Sequence, residues 1–416
     1  MPYAVWFASN GRLLLLVGGI VIVSLLARRA LERRGLPDLL AFLALGIALR
    51  ALNTWTGVLS PAVGQGLNLL ADVGIIVLLF RVGMRCNAVA LWQRLPRALP
   101  IAATTMLFGG MLVVGIAALG FGRSLLSSLF LCIALAGTSV GVASRLWQRH
   151  GVLNAPEGFL LLDVAELNDL LSVVGFAGLL ALAAHLNEPR LVDWMSPAAH
   201  AVGGLLLKLA GLTVISFVLE RYVAPLVTDL LDTGADTLLV LLGMALLVSG
   251  LTALADVPIA LGGFFAGLLF SRQSVASDID PAFDTLYDLF VPFFYVGIGV
   301  LVDGRAVLAI LPFAATLLAA LMVGQGLAAY LPARQLMDAT TARRFSISLL
   351  PRSGIPLIIA EKGWQQNVLS RADFTVVVVI VLATLVGVPL LLQLYLPEGP
   401  EGPAEDPEPS GPPAGR

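Results

Sequence analysis

The stretch Leu161-Leu162-Asp163-Val164-Ala165-Glu166-Leu167-Asn168-Asp169-Leu170-Leu171 sets three acids and an amide inside an otherwise apolar run from about 158 to 185. Ionisable groups are costly in a bilayer, so each needs a partner or a task. Asp163, Glu166 and Asp169 recur every three residues, which places them on one slowly drifting stripe of a helix. Asp169 is about eleven residues into the run, or ~16 Å at 1.5 Å per residue. That depth is near the middle of a hydrocarbon core roughly 30 Å thick. A carboxylate there can carry a proton or a cation: desolvation favours its neutral form and an arriving cation favours its charged form. Asp163, nearer the end of the run, suits an internal ion pair equally well.

The rest of the chain supports a membrane setting. Of 416 residues, 58% are hydrophobic and only 12% charged, about half the charged share of a soluble domain. With a mean hydropathy of +0.93, too little polar surface remains for a soluble enzyme, a disulfide-framed secreted protein or a disordered chain. The net charge of −2 hides an acidic end: Pro397–Arg416 holds five acids and one arginine, with seven prolines and four glycines. Residues 397–416 are expected to be a disordered cytoplasmic tail with no soluble regulatory domain. Neither sign of charge dominates, which argues against nucleic acid as a partner. Cys86 and Cys132 read as small apolar fillers. The first apolar run has its basic cluster after it, so it reads as a retained helix and not a cleaved leader.

Apolar runs define about thirteen candidate spans: 12–27, 37–53, 64–84, 97–119, 124–147, 158–185, 198–224, 236–254, 258–271, 285–302, 306–330, 344–362 and 373–395. Alternate loops then carry very different numbers of Lys and Arg. One set holds fifteen, beginning with Arg28, Arg29, Arg33 and Arg34, and the other holds six, including Arg50, Arg123, Lys362 and Arg371. The positive-inside rule puts the N-terminus outside and the C-terminus in the cytoplasm.

Two spans are interrupted. Ala136-Gly137-Thr138-Ser139-Val140-Gly141 brackets two hydroxyls with glycines, and Leu350-Pro351-Arg352-Ser353-Gly354-Ile355-Pro356 puts two prolines and a glycine in a few residues. Proline removes a helical donor and clashes with the preceding turn. A broken membrane helix persists only where protein or a watery cavity satisfies the freed backbone groups. Read as six spans, a linker and six spans, the chain divides into inverted repeats of about 12–185 and 236–395, with a linker helix at about 198–224. The two breaks then occupy corresponding places in the repeats, and such pairs mark a transporter's binding site. The expected fold is an all-α polytopic membrane protein, residues 1–396, with broken helices crossing at mid-membrane. Arg352 sits in the second break and needs an acceptor, with Asp163, Glu166 and Asp169 as candidates. Lys208 is a second cation within a span, able to pair there or to snorkel. Arg81 is one turn from Arg85 and is expected to snorkel to the cytoplasmic face.

Several motifs, in order over about residues 12–395, resemble monovalent cation:proton antiporters. They are Leu36-Pro37-Asp38 with Phe42–Gly46, Ala71–Ile75 with Leu78–Met84, and Thr138–Gly141, which is similar to the family's unwound "TS" segment. Ala165-Glu166-Leu167-Asn168-Asp169 matches the paired-acid position. Leu261–Leu268 resembles the "GAFLAG" run, Phe290–Gly299 the "LFxPFFFxxxG" run and Pro351-Arg352 the start of "PRGE". The chain departs from electrogenic sodium/proton members, which have a second aspartate where Asn168 stands and a lysine within the "PFFF" helix. Kef-type potassium members usually have Gln-Asp and often a nucleotide-binding domain. An Asn-Asp pair with a downstream arginine is more similar to electroneutral exchangers. Those carry a glutamate where Val164 stands, whereas Glu166 here is two residues before Asn168. Ser353 after Arg352, with no Glu after Gly354, interrupts "PRGE".

The resemblance implies a secondary transporter that exchanges Na⁺ or K⁺ for H⁺ by alternating access, as a homodimer in a bacterial inner (plasma) membrane. The monovalent cation is expected at Asp169, with Asn168, Thr138 and Ser139 beside it. Asp163, Glu166, Arg352 and Lys208 form the expected supporting charge network. An organic-anion carrier of the same architecture, coupled to Na⁺ or H⁺ and binding its substrate at Arg352 and Lys208, is the alternative. His150, His185 and His200 lie near span ends, and no Ser–His dyad or zinc motif is present. The expected protein is therefore not an enzyme and uses no cofactor.

Overall fold

The computed structural model describes residues 2–32, 37–85, 88–186, 234–255, 257–268, 270, 276–302, 304, 307–352 and 354–395, with a few single positions between 203 and 222. Cys86, Lys208, most of the 198–224 linker and the 397–416 tail lie outside the described residues. All regular structure among the described residues is helical. In chain order the helices are α1 (Pro2–Glu32), α2 (Leu39–Thr56), α3 (Pro61–Arg85), α4 (Ala88–Thr104), α5 (Leu125–Ala136), α6 (Val140–Arg149) and α7 (Pro156–Leu186). After the linker come α8 (Gly234–Leu254), α9 (Ile259–Leu268), α10 (Ala276–Leu301), α11 (Val307–Ala333), α12 (Ala339–Ser348), α13 (Gly354–Gln365) and α14 (Arg371–Gln393). Beyond α4 the helix continues through wider π turns at Thr105–Gly109 and Ile116–Gly120.

Seven described segments are each long and apolar enough to cross a bilayer: Gly11–Leu31, Leu39–Thr56, Pro61–Met84, Arg94–Gly120, Phe283–Leu301, Val307–Ala333 and Arg371–Gln393. Leu125–Ala136, Leu238–Leu254 and Ile259–Leu268 are apolar but shorter. α7 owes its polar character to the acids on its stripe.

Both expected breaks are present. α5 stops at Ala136, and Gly137 takes an extended conformation (φ −58°, ψ 139°). Ser139 is also extended, and the helix restarts as α6 at Val140. Thr and Ser favour such interruptions because their hydroxyls compete for backbone groups. The second break separates α12, which ends at Ser348, from α13, which starts at Gly354. Pro351 cannot supply a helical N–H, and the residue before a proline is steered away from helix. Pro356 falls in the first turn of α13, where N–H groups have no intrahelical partner anyway.

The extensive helix pairings fall into two groups. α1–α3 pack with α8–α10, chiefly α3 on α9 and on α10, and α2 on α10. The second group contains α4–α7 and α11–α14, with α5 against α13, α4 and α5 against α7, and α13 beside α14. Glycine sets the spacing within the first group. A Cβ on Gly299 of α10 would lie 2.8 Å from the Cα of Gly46 in α2. A Cβ on Gly263 of α9 would lie 2.7 Å from the Ile76 carbonyl oxygen of α3. Small residues allow such close approach where apolar burial alone gives helices no preference over lipid.

Candidate ion-binding site

The two breaks touch. The Ser139 N–H donates to the Pro351 carbonyl at 2.8 Å, so each break satisfies part of the other's backbone. Asp169 reaches this crossing from α7, and its Oδ1 accepts the Thr138 N–H at 2.9 Å. Gly137 leaves room for the carboxylate, since a Cβ there would lie 3.2 Å from Asp169 Oδ1.

A buried polar chain runs behind the carboxylate. Thr138 Oγ1 accepts from Arg352 Nη1 at 3.1 Å and from Asn168 Nδ2 at 3.2 Å. Asn168 Oδ1 lies 3.3 Å from the hydroxyl of Thr105, in the first π turn after α4. Ser172 donates to the Asn168 backbone carbonyl at 2.7 Å. Thr105, Thr138, Ser139, Asn168 and Arg352 are all buried. Arg352 is fully enclosed, and its Nη1 also donates to the Leu349 carbonyl at 3.1 Å. The Arg352 N–H donates to Thr384 Oγ1 of α14 at 3.1 Å. Its Nε and Nη2 have no hydrogen-bond partner among the described residues.

The expected charge network therefore takes a particular form. Asp163 pairs with Arg94 of α4 at 3.5 Å, and the Arg94 guanidinium also stands 5.3 Å from the centre of the Phe159 ring. The described hydrogen bonds of the Arg352 guanidinium go to the Thr138 hydroxyl and to carbonyl oxygens. Sequence reasoning did not single out Arg94, Thr105, Thr384 or Gln325. Gln325 of α11 donates at 3.4 Å to the Leu135 carbonyl, close to where α5 ends. None of these four carries a local sequence signal: each is a single polar residue whose partner lies tens or hundreds of positions away.

Asp169 lies on a cavity of about 640 Å³ between the two helix groups. Thr138, Ser139, Glu166 and Asp169 line it from one group, and Phe42, Leu78 and Tyr295 from the other. Its mouth carries Arg28, Asp38, Arg81, Arg145, Asp284 and Asp288. Arg81 is fixed there by an ion pair to Asp284 at 2.6 Å and by stacking 4.4 Å from the centre of the Tyr287 ring. Arg28 pairs with Asp288. The mouth thus holds three arginines and three aspartates, with no net charge.

Beyond the breaks, away from the mouth, the two groups are bridged. Asp72 is nine residues along α3 from Arg81, or about 14 Å, and pairs with Lys362 of α13 at 3.6 Å. Arg371, at the start of α14, donates through Nη2 to the Leu301 carbonyl at the end of α10 at 2.9 Å.

The match to known proteins covers the same length of chain. A family model described as "Sodium/hydrogen exchanger, transmembrane" matches residues 19–396. The chain belongs to the sodium/hydrogen exchanger family. Among relatives of this exchanger-family chain is the High-affinity Na⁺/H⁺ antiporter NhaS3 of Synechocystis sp., 25% identical over 94% of this chain and 87% of its own. The Na⁺/H⁺ antiporter of Enterococcus hirae is 22% identical over 90% of this chain and 96% of its own. The sodium proton antiporter MjNhaP1 of Methanocaldococcus jannaschii is similar in structure, with a TM-score of 0.70 at 15% identity, covering 93% of this chain and 99% of that one. The fold is thus shared with a solved antiporter. Within this exchanger-family fold, the run Leu261–Leu268 forms most of α9 and the run Phe290–Gly299 lies in α10.

Proposed function

We propose that this chain exchanges a monovalent cation for a proton by alternating access, with Asp169 as its single carrier carboxylate. One observation carries the reading: the Asp169 carboxylate is held by the Thr138 N–H where two helix breaks meet, on a cavity between two helix groups. A proton and a cation compete for that carboxylate. Asn168 does not titrate, so one cation replaces one proton and the exchange is electroneutral. Ser139 and freed backbone carbonyls supply further oxygens. Asp163 and Arg94 form a structural pair, while Glu166 lines the path. Several relatives are named as Na⁺/H⁺ antiporters, which makes Na⁺ the first cation to test and K⁺ the second.

The cavity mouth belongs to the arginine-rich side and is cytoplasmic by the positive-inside rule. The Asp72–Lys362 pair and the Arg371–Leu301 bond then close the outer face, and the described arrangement is inward-facing. Two groups with few extensive pairings between them can shift as bodies to reverse that access. This reading includes thirteen spans in two inverted six-helix repeats about a linker, the N-terminus outside, a disordered cytoplasmic tail and a homodimer. Arg352 does not line the cavity, which leaves the anion-carrier alternative without its described cation.

Reconstituted protein with a Na⁺ or K⁺ gradient and a trapped pH dye tests the reading. Native protein moves protons in response to the gradient, and Asp169→Asn does not. Normal exchange by Asp169→Asn sinks the assignment, and a membrane potential generated by turnover sinks the single-carrier scheme.

A further inference from the structure

Thr105 is not on the cavity, yet it ends the chain of side chains that leads to Asp169. Its hydroxyl has one hydrogen and two acceptors in range, the Ala102 carbonyl at 2.8 Å and Asn168 Oδ1 at 3.3 Å. On the other side of the amide, the Thr138 hydroxyl also has one hydrogen, within 3.5 Å of the Ala136 carbonyl. The two ends of an amide have the same shape and opposite hydrogen-bonding character. These heavy atoms therefore support two arrangements, related by a half-turn of the Asn168 amide.

In the first arrangement Thr105 donates to Asn168 Oδ1, and Asn168 Nδ2 donates to Thr138. Thr138 Oγ1 then accepts from both Arg352 and Asn168, which occupies both lone pairs. Its hydroxyl has nothing left for a cation. In the second, Thr105 turns its hydrogen to Ala102 and accepts from Asn168 Nδ2. Asn168 Oδ1 now faces Thr138 and takes its hydroxyl hydrogen. Thr138 Oγ1 keeps the bond from Arg352, and its other lone pair becomes available beside Asp169. Both arrangements give each end of the amide a hydrogen-bond partner, as buried polar groups require.

We propose that Thr105 is a positioning residue that lets the Asn168 amide reverse, switching the Thr138 hydroxyl between an occupied state and a cation-ligating state. The proposal rests on Asp169 being the carrier. Asp169 and its Thr138 N–H bond are the same in both arrangements, so proton loading is unaffected and cation loading depends on the reversal.

Valine at 105 has the shape of threonine without its hydroxyl. It leaves one end of the amide unpaired in either arrangement. An orphaned N–H is tolerated less well than an under-satisfied carbonyl, so Thr105→Val holds Nδ2 on Thr138, in the arrangement with no free lone pair. Exchange kinetics in proteoliposomes test this. Thr105→Val should raise the cation KM about tenfold, in line with one buried hydrogen bond lost, with the maximum rate within about twofold. Thr105→Ser retains the hydroxyl and should retain the native KM. In an Asn168→Ala background, Thr105→Val should have no further effect on KM, because Thr105 acts through the amide. A native KM in Thr105→Val, or equal impairment of Thr105→Ser and Thr105→Val, overturns the proposal. If Asn168→Ala is inactive, the serine–valine comparison still decides. Loss of exchange in Asp169→Asn alongside a normal Thr105→Val rejects this inference alone; exchange by Asp169→Asn rejects the carrier assignment beneath it.

Discussion

Ser139 and Pro351, 212 positions apart, are joined by a backbone hydrogen bond of 2.8 Å that ties the two broken helices together at the carboxylate. Neither residue needs its side chain for this bond. Pro351 serves as a pure acceptor, having no N–H to compete. The crossing is therefore sensitive to backbone geometry and to space around it.

Gly137→Ala tests that space. The added methyl would stand 3.2 Å from Asp169 Oδ1, 3.4 Å from Pro356 Cδ and 3.5 Å from Ile355 Cγ2. The backbone angles at 137 suit alanine (φ −58°, ψ 139°), so the strain is steric. The variant should fold and show a severalfold higher cation KM, on the scale of about 1–3 kcal/mol for overpacking. Titrating Na⁺ in the dye assay checks it; an unchanged KM contradicts the placement of Asp169.

With Asp169 as the proposed carrier, competition at one carboxylate has a definite sign with pH. Protonation removes the form that binds a cation, so apparent cation KM should rise as pH falls, approaching about tenfold per pH unit once the proton form dominates. The maximum rate at saturating cation should change much less over that part of the range. Initial rates across a pH series with Na⁺ titrated at each point distinguish this from a separate proton site, which would lower the rate and leave KM alone.

Arg352→Lys should behave as a severe substitution. The guanidinium bonds Thr138 and the Leu349 carbonyl from one nitrogen while fully enclosed, and an ammonium on a flexible stem does not reproduce that fork. Losing one charge-assisted hydrogen bond costs about 1.5–3 kcal/mol. Thermal unfolding in detergent should show a lowered midpoint, and exchange should fall at least about tenfold.

The outer bridge predicts a smaller effect. Lys362 and Asp72 side chains are 18% and 43% exposed, and partly exposed pairs contribute roughly 0–1 kcal/mol. Asp72→Asn should accordingly shift the balance between inward- and outward-open forms by no more than about fivefold. Ser144→Cys, on the cavity wall, in a background lacking Cys86 and Cys132, reports it. Its labelling by an impermeant maleimide from the mouth side should slow. Faster labelling would assign the bridge to the wrong face.

The helical fold and the residues of the candidate site were legible where physics acts locally along the chain. Asp169 stood out because it is ionisable in an apolar run, and the breaks stood out because Gly137, Pro351 and Pro356 cannot continue a helix well. The partners were much less legible. Arg94 with Asp163 and Arg352 with Thr138 are meetings between distant helices, and nothing in either local pattern encodes the other. Arg81 looked like a snorkelling end charge, yet Asp284 and Tyr287 hold it at the cavity mouth. Thr105 was hidden because a threonine in an apolar helix most often bonds its own preceding turn, as this one also does with Ala102.

α13 begins at the crossing, where Gly354 faces Tyr295 Oη of the other group, and near its far end Lys362 is tied to Asp72. Its twelve residues make a rod about 18 Å long. A rod that runs from the crossing to the bridge between the groups couples the two places: tilting it at one end displaces the other. Under the proposed function, occupancy of the carboxylate and closure of the far face share a mechanical coordinate, and geometry as well as timing opposes a site open to both sides at once.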